Sequence, residues 1–145
     1  MQCNPEERNG YEQLLQRAVE ARKLAYAPYS GYCVGAALLT GNGKIYSGCN
    51  IENAAFSPTN CAERTAFFKA ISEGVRDFEA IAVVGGKAGA QPDELCPPCG
   101  VCRQVMMEFC DHKNFRIVLQ DAAQGIKVMT LEELLPVGFG GAQII

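Results

Sequence analysis

The chain is organised around two short stretches, Asn60-Cys61-Ala62-Glu63-Arg64 and Cys96-Pro97-Pro98-Cys99-Gly100-Val101-Cys102. Cys99 and Cys102 form a Cys-x2-Cys pair, and Cys61 lies 38 residues before Cys99. Both groups of cysteines fall at the start of a predicted helix, where free N–H groups and the helix dipole stabilise thiolates. Because zinc prefers thiolate ligands, the two stretches predict a zinc centre held between two helices.

Two kinds of zinc site fit these cysteines. A catalytic site keeps one position open for water and would use three ligands, namely Cys61, Cys99 and Cys102. A closed structural site would add Cys96 as the fourth ligand. The fixed φ angles of Pro97 and Pro98 favour an extended arm that turns Cys96 away from the helix, so the open site is preferred. An iron–sulfur cluster and a metal-free arrangement are weaker alternatives.

A carboxylate close to the metal also favours the open site. Glu63 lies on the first turn after Cys61, from where it can move protons between water and a leaving group. The structural alternative is a capping box between Asn60 and Glu63. Arg64 is the candidate cation that offsets the thiolate charge by hydrogen-bonding to the sulfurs, and its alternative is a solvated surface arginine.

The composition is that of an ordinary globular protein with one domain, residues 1–145. The chain is 48% hydrophobic and 20% charged, with a net charge of −3 and no run of lysine or arginine. This balance disfavours a nucleic-acid-binding zinc module. No apolar run approaches the roughly 18 residues that span a bilayer, and the first residues do not form a signal peptide. We therefore expect a cytoplasmic protein, without a membrane partner, whose eight cysteines are thiols or metal ligands.

Apolar periodicity and turn residues predict a mixed α/β fold. The order is helix–strand–strand–helix–strand–helix–strand–strand–helix, which fits one mixed sheet covered by helices on both faces. Helices that link buried strands imply right-handed, parallel crossovers in the middle of the chain. The elements are expected at about 11–26, 33–40, 44–49, 61–73, 79–86, 100–109, 115–119, 126–129 and 130–135.

The cysteine stretches resemble the two zinc motifs of the small, homotetrameric cytidine deaminases. The matching segments are 61–66 and 98–104, with further matches at 28–30, 34–38, 48–53 and 133–136. They run in order through nearly the whole chain. The resemblance implies a three-layer α/β/α sandwich with a mixed five-stranded sheet. It also implies an enzyme of pyrimidine salvage that hydrolyses cytidine and deoxycytidine to uridine and deoxyuridine, with release of ammonia.

The resemblance further implies a role for each site residue. One zinc ion per subunit would be held by Cys61, Cys99 and Cys102. Hydroxide generated at the metal would attack C4 of the base while Glu63 shuttles protons, and Arg64 would moderate the thiolate charge.

Substrate contacts are implied in the same way. Asn50 and Glu52 would bind the ribose hydroxyls, whereas a polar loop taken alone indicates turn capping. The main chain of Ala62 and the ring of Tyr32 would contact the base. Neighbouring subunits of a homotetramer would complete each site, with an aromatic residue near Phe56 and with Phe139.

Two residues depart from the usual pattern of this family. Tyr32 stands where phenylalanine is usual, so its hydroxyl needs a partner, and Phe56 stands where tyrosine is frequent. Cys96 falls at a position that the family does not use for zinc, which favours the open site. A deaminase of polynucleotides is the chemical alternative, but ribose-binding roles for Asn50 and Glu52 favour a free nucleoside.

Overall fold

A mixed sheet forms the middle layer of the molecule. The computed structural model describes residues 3–123 and 125–145. The sheet order is β2-β1-β3-β4-β5; β3 and β4 are parallel, and the other neighbouring pairs are antiparallel. The predicted mixed five-stranded sheet is therefore confirmed. Its strands are β1 (Tyr32–Thr40), β2 (Ile45–Cys49), β3 (Phe78–Lys87), β4 (Arg116–Asp121) and β5 (Gly125–Thr130).

Helices cover both faces of the sheet and give the predicted three layers. On one face, α1 packs against a core that includes Leu14, Ala18 and Ala37. On the other face, α2 and α3 share a core that includes Phe67, Met106 and Ile117. The helices are α1 (Pro5–Arg22), α2 (Ala62–Ser72), α3 (Gly100–Phe109) and α4 (Leu131–Leu134), and a 3-10 helix follows at Gly141–Gln143. In the described ranges no helix is long and apolar enough to cross a membrane.

The predicted bounds of α1, about 11–26, were wrong at both ends. The helix starts at Pro5 because Asn4 and Glu7 form a capping box, in which each side chain accepts from the other residue's backbone N–H. It ends at Arg22 because the chain must turn back to pair with the segment after β2. There the N–H of Tyr26 donates to the carbonyl of Asn50 at 2.9 Å.

Two glycines set how closely helices approach the sheet. A methyl group built on Gly48 in β2 would lie 2.4 Å from the carbonyl oxygen of Ala62 in α2. One built on Gly35 in β1 would lie 2.0 Å from the carbonyl oxygen of Ala18 in α1. Both distances are shorter than van der Waals contact, so only glycine lets these backbones pack together. The approach at Gly48 positions the helix that starts at the metal centre.

Cysteines outside the two motifs play no part in cross-linking. All eight cysteines are free thiols. Four cysteines lie alone at sheet or helix margins and are half-buried: Cys3, Cys33, Cys49 and Cys110.

Candidate metal centre and active site

Three cysteine sulfurs meet where two helices begin. Cys61 is the N-cap of α2, Cys99 is the N-cap of α3, and Cys102 lies on the first turn of α3. Their Sγ atoms all lie within 4.8 Å of one another, and those of Cys61 and Cys99 are 3.7 Å apart. Both helices pack on the same face of the sheet, which brings residues from distant parts of the chain to one point.

The donor set fits one zinc ion. Zn–S bonds of about 2.3 Å put the sulfurs of a tetrahedral site roughly 3.8 Å apart, close to the observed separation of Cys61 and Cys99. The helix starts supply backbone donors, since the N–H of Cys102 points to the sulfur of Cys99 at 3.5 Å. Hydrogen bonds from the Cys102 thiol and the Arg64 guanidinium lower the pKa of Cys61. The cluster thus contains a sulfur that is readily deprotonated for metal binding.

Cys96 is not part of the three-sulfur group. It lies against β3, where a methyl group on Gly85 would meet its sulfur at 2.6 Å and the ring of Tyr32 at 3.0 Å. Burial raises the pKa of Cys96 to about 11, which keeps it a neutral thiol. Its place is in the wall of the cavity beside the cluster, so the geometry supports the open three-cysteine site over the closed one.

Glu63 is buried directly beside the sulfurs, with 3% of its surface exposed. Burial raises the pKa of its carboxyl to about 7, which suits a group that both accepts and releases protons near neutrality. The structural alternative, a capping box between Asn60 and Glu63, does not form: the N-cap of α2 is Cys61, without a side-chain capping bond. The Asn60 amide instead donates to the Thr65 hydroxyl at 3.1 Å.

Arg64 is directed at the cluster rather than at solvent. Its Nη2 donates to the Cys61 sulfur at 3.2 Å, and its Nε is buried without a hydrogen-bond partner among the described residues. The cation is therefore held against the sulfurs, where it counteracts their negative charge.

A cavity of about 270 Å³ opens at the cluster and contains most of the predicted substrate residues. Tyr32, Asn50, Glu52 and Ala62 line it together with Glu63. Phe56 lines an adjoining cavity of about 330 Å³ that shares Ser30, Glu52 and Thr59 with the first. Phe139 lines neither cavity in the described part of the chain.

The polar residues at the far end of the cavity also hold its walls. Asn50 accepts from the N–H of Val34 and donates to the carbonyl of Tyr32, both at 2.8 Å. Glu52 accepts from the N–H groups of Tyr29 at 3.0 Å and Ser30 at 3.1 Å, and from the Ser30 hydroxyl. These bonds, the Ser30 hydroxyl foremost, lower the pKa of Glu52 and keep it ionised. The sequence did not single out Ser30, although the turn at 28–31 signals a loop beside the site.

Two further contacts shape the site. The Tyr32 hydroxyl donates a hydrogen bond to the Glu94 carboxylate at 3.3 Å, which is the polar partner predicted from the sequence. Arg103 links the metal loop to the C-terminal segment, since it donates to the carbonyls of Pro98 and Leu134, both at 2.7 Å. Next to it, the amide of Gln104 donates to the carbonyl of Phe139 at 2.8 Å.

Known proteins share both the sequence and the fold. A family model described as "Cytidine and deoxycytidylate deaminase zinc-binding region" matches residues 8–118. A cytidine deaminase of Sporosarcina psychrophila is 51% identical over 128 residues, which cover 88% of this chain and 90% of that protein. A cytidine deaminase of Halalkalibacterium halodurans is 49% identical over 128 residues, which cover 88% of this chain and 92% of that protein. The crystal structure of a cytidine deaminase from Burkholderia pseudomallei superposes with a TM-score of 0.78 at 45% identity, over 88% of this chain and 98% of that one. On these matches, and with three sulfurs placed to hold zinc, the chain belongs to the cytidine and deoxycytidylate deaminase family.

Proposed function

We propose that this chain is a zinc-dependent cytidine deaminase that converts free cytidine and deoxycytidine to uridine and deoxyuridine. The observation that carries the proposal is the buried Glu63 carboxyl beside three sulfurs, in the wall of a cavity of about 270 Å³. A structural zinc site has no use for an acid with that burial. Cytidine deaminases at 49–51% identity share the chain almost end to end.

Proton transfer is the task of Glu63 in this mechanism. Zinc held by Cys61, Cys99 and Cys102 supplies Lewis acidity that activates water as a nucleophile. Glu63 takes a proton from the attacking water and delivers it to N3 of the base, while the new C–O bond forms at C4. It then carries the remaining proton of the added hydroxyl to the amino group. The C4–N bond breaks, and ammonia leaves.

Charge and orientation are the tasks of the surrounding residues. A zinc ion held by three thiolates would carry a net negative charge. The Arg64 guanidinium, which donates to the Cys61 sulfur, would offset part of that charge. The main chain of Ala62, at the start of α2, would contact the pyrimidine, and the ring of Tyr32 would pack on the base. Asn50 and Glu52 at the other end of the cavity would bind the ribose.

The charges in the cavity favour a free nucleoside over a nucleotide. The description of the family includes deoxycytidylate deaminases, whose substrate carries a phosphate. Among the described residues, neither adjoining cavity is lined by lysine or arginine, and both are lined by the Glu52 carboxylate. A 5′-phosphate would therefore meet repulsion without a compensating cation.

Exposed apolar side chains support a homotetramer in which neighbours complete each site. Phe56 is 80% exposed beside the cavity, and Phe139 is 55% exposed on the C-terminal segment. Large exposed apolar residues at a half-open site are typical of an interface. We further propose a cytoplasmic role in pyrimidine salvage, where free nucleosides are the substrates.

An ultraviolet assay of the zinc-loaded protein tests the proposed reaction. We expect turnover of cytidine and deoxycytidine and none of cytidine 5′-monophosphate at equal concentration. Faster turnover of the monophosphate would assign the chain to the nucleotide branch, and an inactive zinc-loaded protein would refute the proposal.

The proposed assembly needs a separate test. Gel filtration with light scattering should give the mass of four chains. An active monomer would contradict shared sites.

A further inference from the structure

We propose that Ser30 is a positioning residue for Glu52, and that its hydroxyl selects the carboxylate oxygen that accepts a sugar hydroxyl. This inference rests on the proposed function, because it concerns how the same cavity recognises the sugar of its nucleoside. Ser30 lines both adjoining cavities and lies between Glu52 and the start of β1.

The direction of the Ser30 hydroxyl follows from its two contacts. The N–H of Tyr32 donates to Ser30 Oγ at 3.0 Å, so that oxygen acts as an acceptor on this side. A serine hydroxyl has one hydrogen, and it is given to Oε2 of Glu52. Because an ionised carboxylate cannot donate, the polarity of this pair is fixed.

The remaining capacity of Glu52 can then be counted. Oε1 accepts from two backbone N–H groups, those of Tyr29 and Ser30, which use both of its lone pairs. Oε2 accepts from the Ser30 hydroxyl and keeps one lone pair. Among the described contacts, a single acceptor position on Oε2 is therefore left for a ligand. The Ser30 hydroxyl fixes the orientation of that position.

The turn that carries Ser30 is held mainly by backbone hydrogen bonds, to which the Ser30 hydroxyl adds the contact with the N–H of Tyr32. Gly31 has a φ of +68°, and its N–H donates to the carbonyl of Ala27 at 3.0 Å. Its carbonyl accepts from the N–H of Ala88 at 2.8 Å, and the N–H of Glu52 donates to the carbonyl of Tyr26 at 2.8 Å. Removal of the hydroxyl should thus leave these backbone bonds in place, whereas Oε2 of Glu52 loses the donor that orients it.

The test compares Ser30→Ala and Ser30→Thr on substrates with and without the 2′- and 3′-hydroxyls of the sugar. In the zinc-loaded Ser30→Ala variant, we expect KM for cytidine to rise about tenfold, as for a lost hydrogen bond to a charged group, with kcat within about twofold. On 2′,3′-dideoxycytidine the KM values of wild type and Ser30→Ala should agree, because neither the 2′- nor the 3′-hydroxyl is present to contact Glu52. Ser30→Thr keeps a hydroxyl and should restore KM for cytidine.

A double variant and a matched control complete the design. On a Glu52→Gln background, Ser30→Ala should add no further change, since the two residues act as one unit. Ser72→Ala removes an exposed serine hydroxyl that donates to the Lys69 carbonyl, and the kinetics of this variant should match wild type. An equal rise in KM on dideoxycytidine, an unchanged KM for cytidine, or additivity with Glu52→Gln would each overturn the role of Ser30.

A binding measurement separates this role from the deamination itself. Calorimetry with uridine and 2′,3′-dideoxyuridine repeats the comparison without turnover. If wild type binds uridine but does not deaminate cytidine, the proposed function fails while the Ser30 comparison still gives its answer. If Ser30→Ala binds uridine as tightly as wild type does, the role of Ser30 is refuted whatever the activity.

Discussion

The first turn of α2 directs three different functional groups at one point. Cys61 caps the helix with its sulfur at the cluster, Glu63 is buried beside it, and Arg64 reaches back to the same sulfur. The cluster and its Cys-x2-Cys pair could be predicted from spacing alone. The Arg64 contact was predicted, but only beside the alternative of a surface arginine, because side-chain rotamer and burial decide whether residues at i and i+3 of a helix meet.

Replacement of Glu63 by glutamine removes the proposed proton carrier and keeps the shape of the side chain. We expect kcat on cytidine to fall about 100- to 10,000-fold, the usual contribution of general acid–base catalysis. Zinc content, measured by atomic absorption, should stay at one ion per chain. Glu79→Gln, at an exposed position in β3, is the control and should keep wild-type turnover. Near-normal activity of a zinc-loaded Glu63→Gln variant would refute the assignment.

Replacement of Arg64 by alanine removes the donor to the Cys61 sulfur. Loss of a group that orients and neutralises metal ligands typically weakens metal binding or activity about 10- to 100-fold, and we expect that loss here. Competition with a chromophoric chelator measures the zinc affinity. Arg76→Ala changes an arginine after the end of α2 that donates to the Ile71 and Val75 carbonyls, and it should bind zinc normally. Equal zinc affinities in the Arg64→Ala and Arg76→Ala variants would show that Arg64 has no specific role in metal binding.

At the scale of elements, the helices depend on glycine contacts that hydrophobic pattern does not reveal. The apolar run of β1 predicted a strand buried on both faces, and Ala36, Ala37 and Leu38 are indeed fully buried. The pattern could not say that Gly35 faces α1 and Gly48 faces α2. That choice depends on the β1–β2 register, in which Gly35 lies opposite Cys49.

The two glycines offer a matched pair of variants. Gly48→Ala and Gly35→Ala each force a methyl group against a helix backbone, so both should lower the free energy of unfolding by about 1–3 kcal/mol. Only Gly48→Ala displaces the helix that carries Cys61 and Glu63, and it alone should also weaken zinc binding and lower kcat. Denaturant unfolding, chelator competition and the cytidine assay measure the three quantities. Equal loss of activity in both variants would show that the site responds to stability alone.

At the scale of the whole molecule, two apolar cores pack against the sheet between the helices. The order of elements and the three layers followed from periodicity, because long buried strands and amphipathic helices leave strong patterns. The start of α1 was missed because polar residues at 5–10 carry no apolar stripe, and the capping box at Asn4 decides it. The adjoining cavities could not be foreseen, since they depend on where distant loops meet.

Removal of zinc should abolish activity and leave the fold. We expect far-ultraviolet circular dichroism to stay unchanged after chelation, because the cores lie within the layers and the site lies at helix ends. Zinc at a hundred times its Kd stabilises the native state by about 2.7 kcal/mol, so the zinc-free protein should melt roughly 5–10 °C lower. Differential scanning calorimetry with and without zinc makes the comparison. Loss of a cooperative transition in the zinc-free protein would show that folding requires the metal.

The bridge formed by Arg103 makes metal binding and the C-terminal segment thermodynamically reciprocal. One guanidinium holds the carbonyl just before the ligand Cys99 and the carbonyl of Leu134, and Gln104 beside it holds Phe139. Zinc that fixes the loop at Cys99 also fixes the anchor of that segment. If zinc raises the affinity of a neighbouring chain for this segment, then binding of that chain must raise the affinity for zinc by the same factor. Assembly and metal retention would therefore rise and fall together.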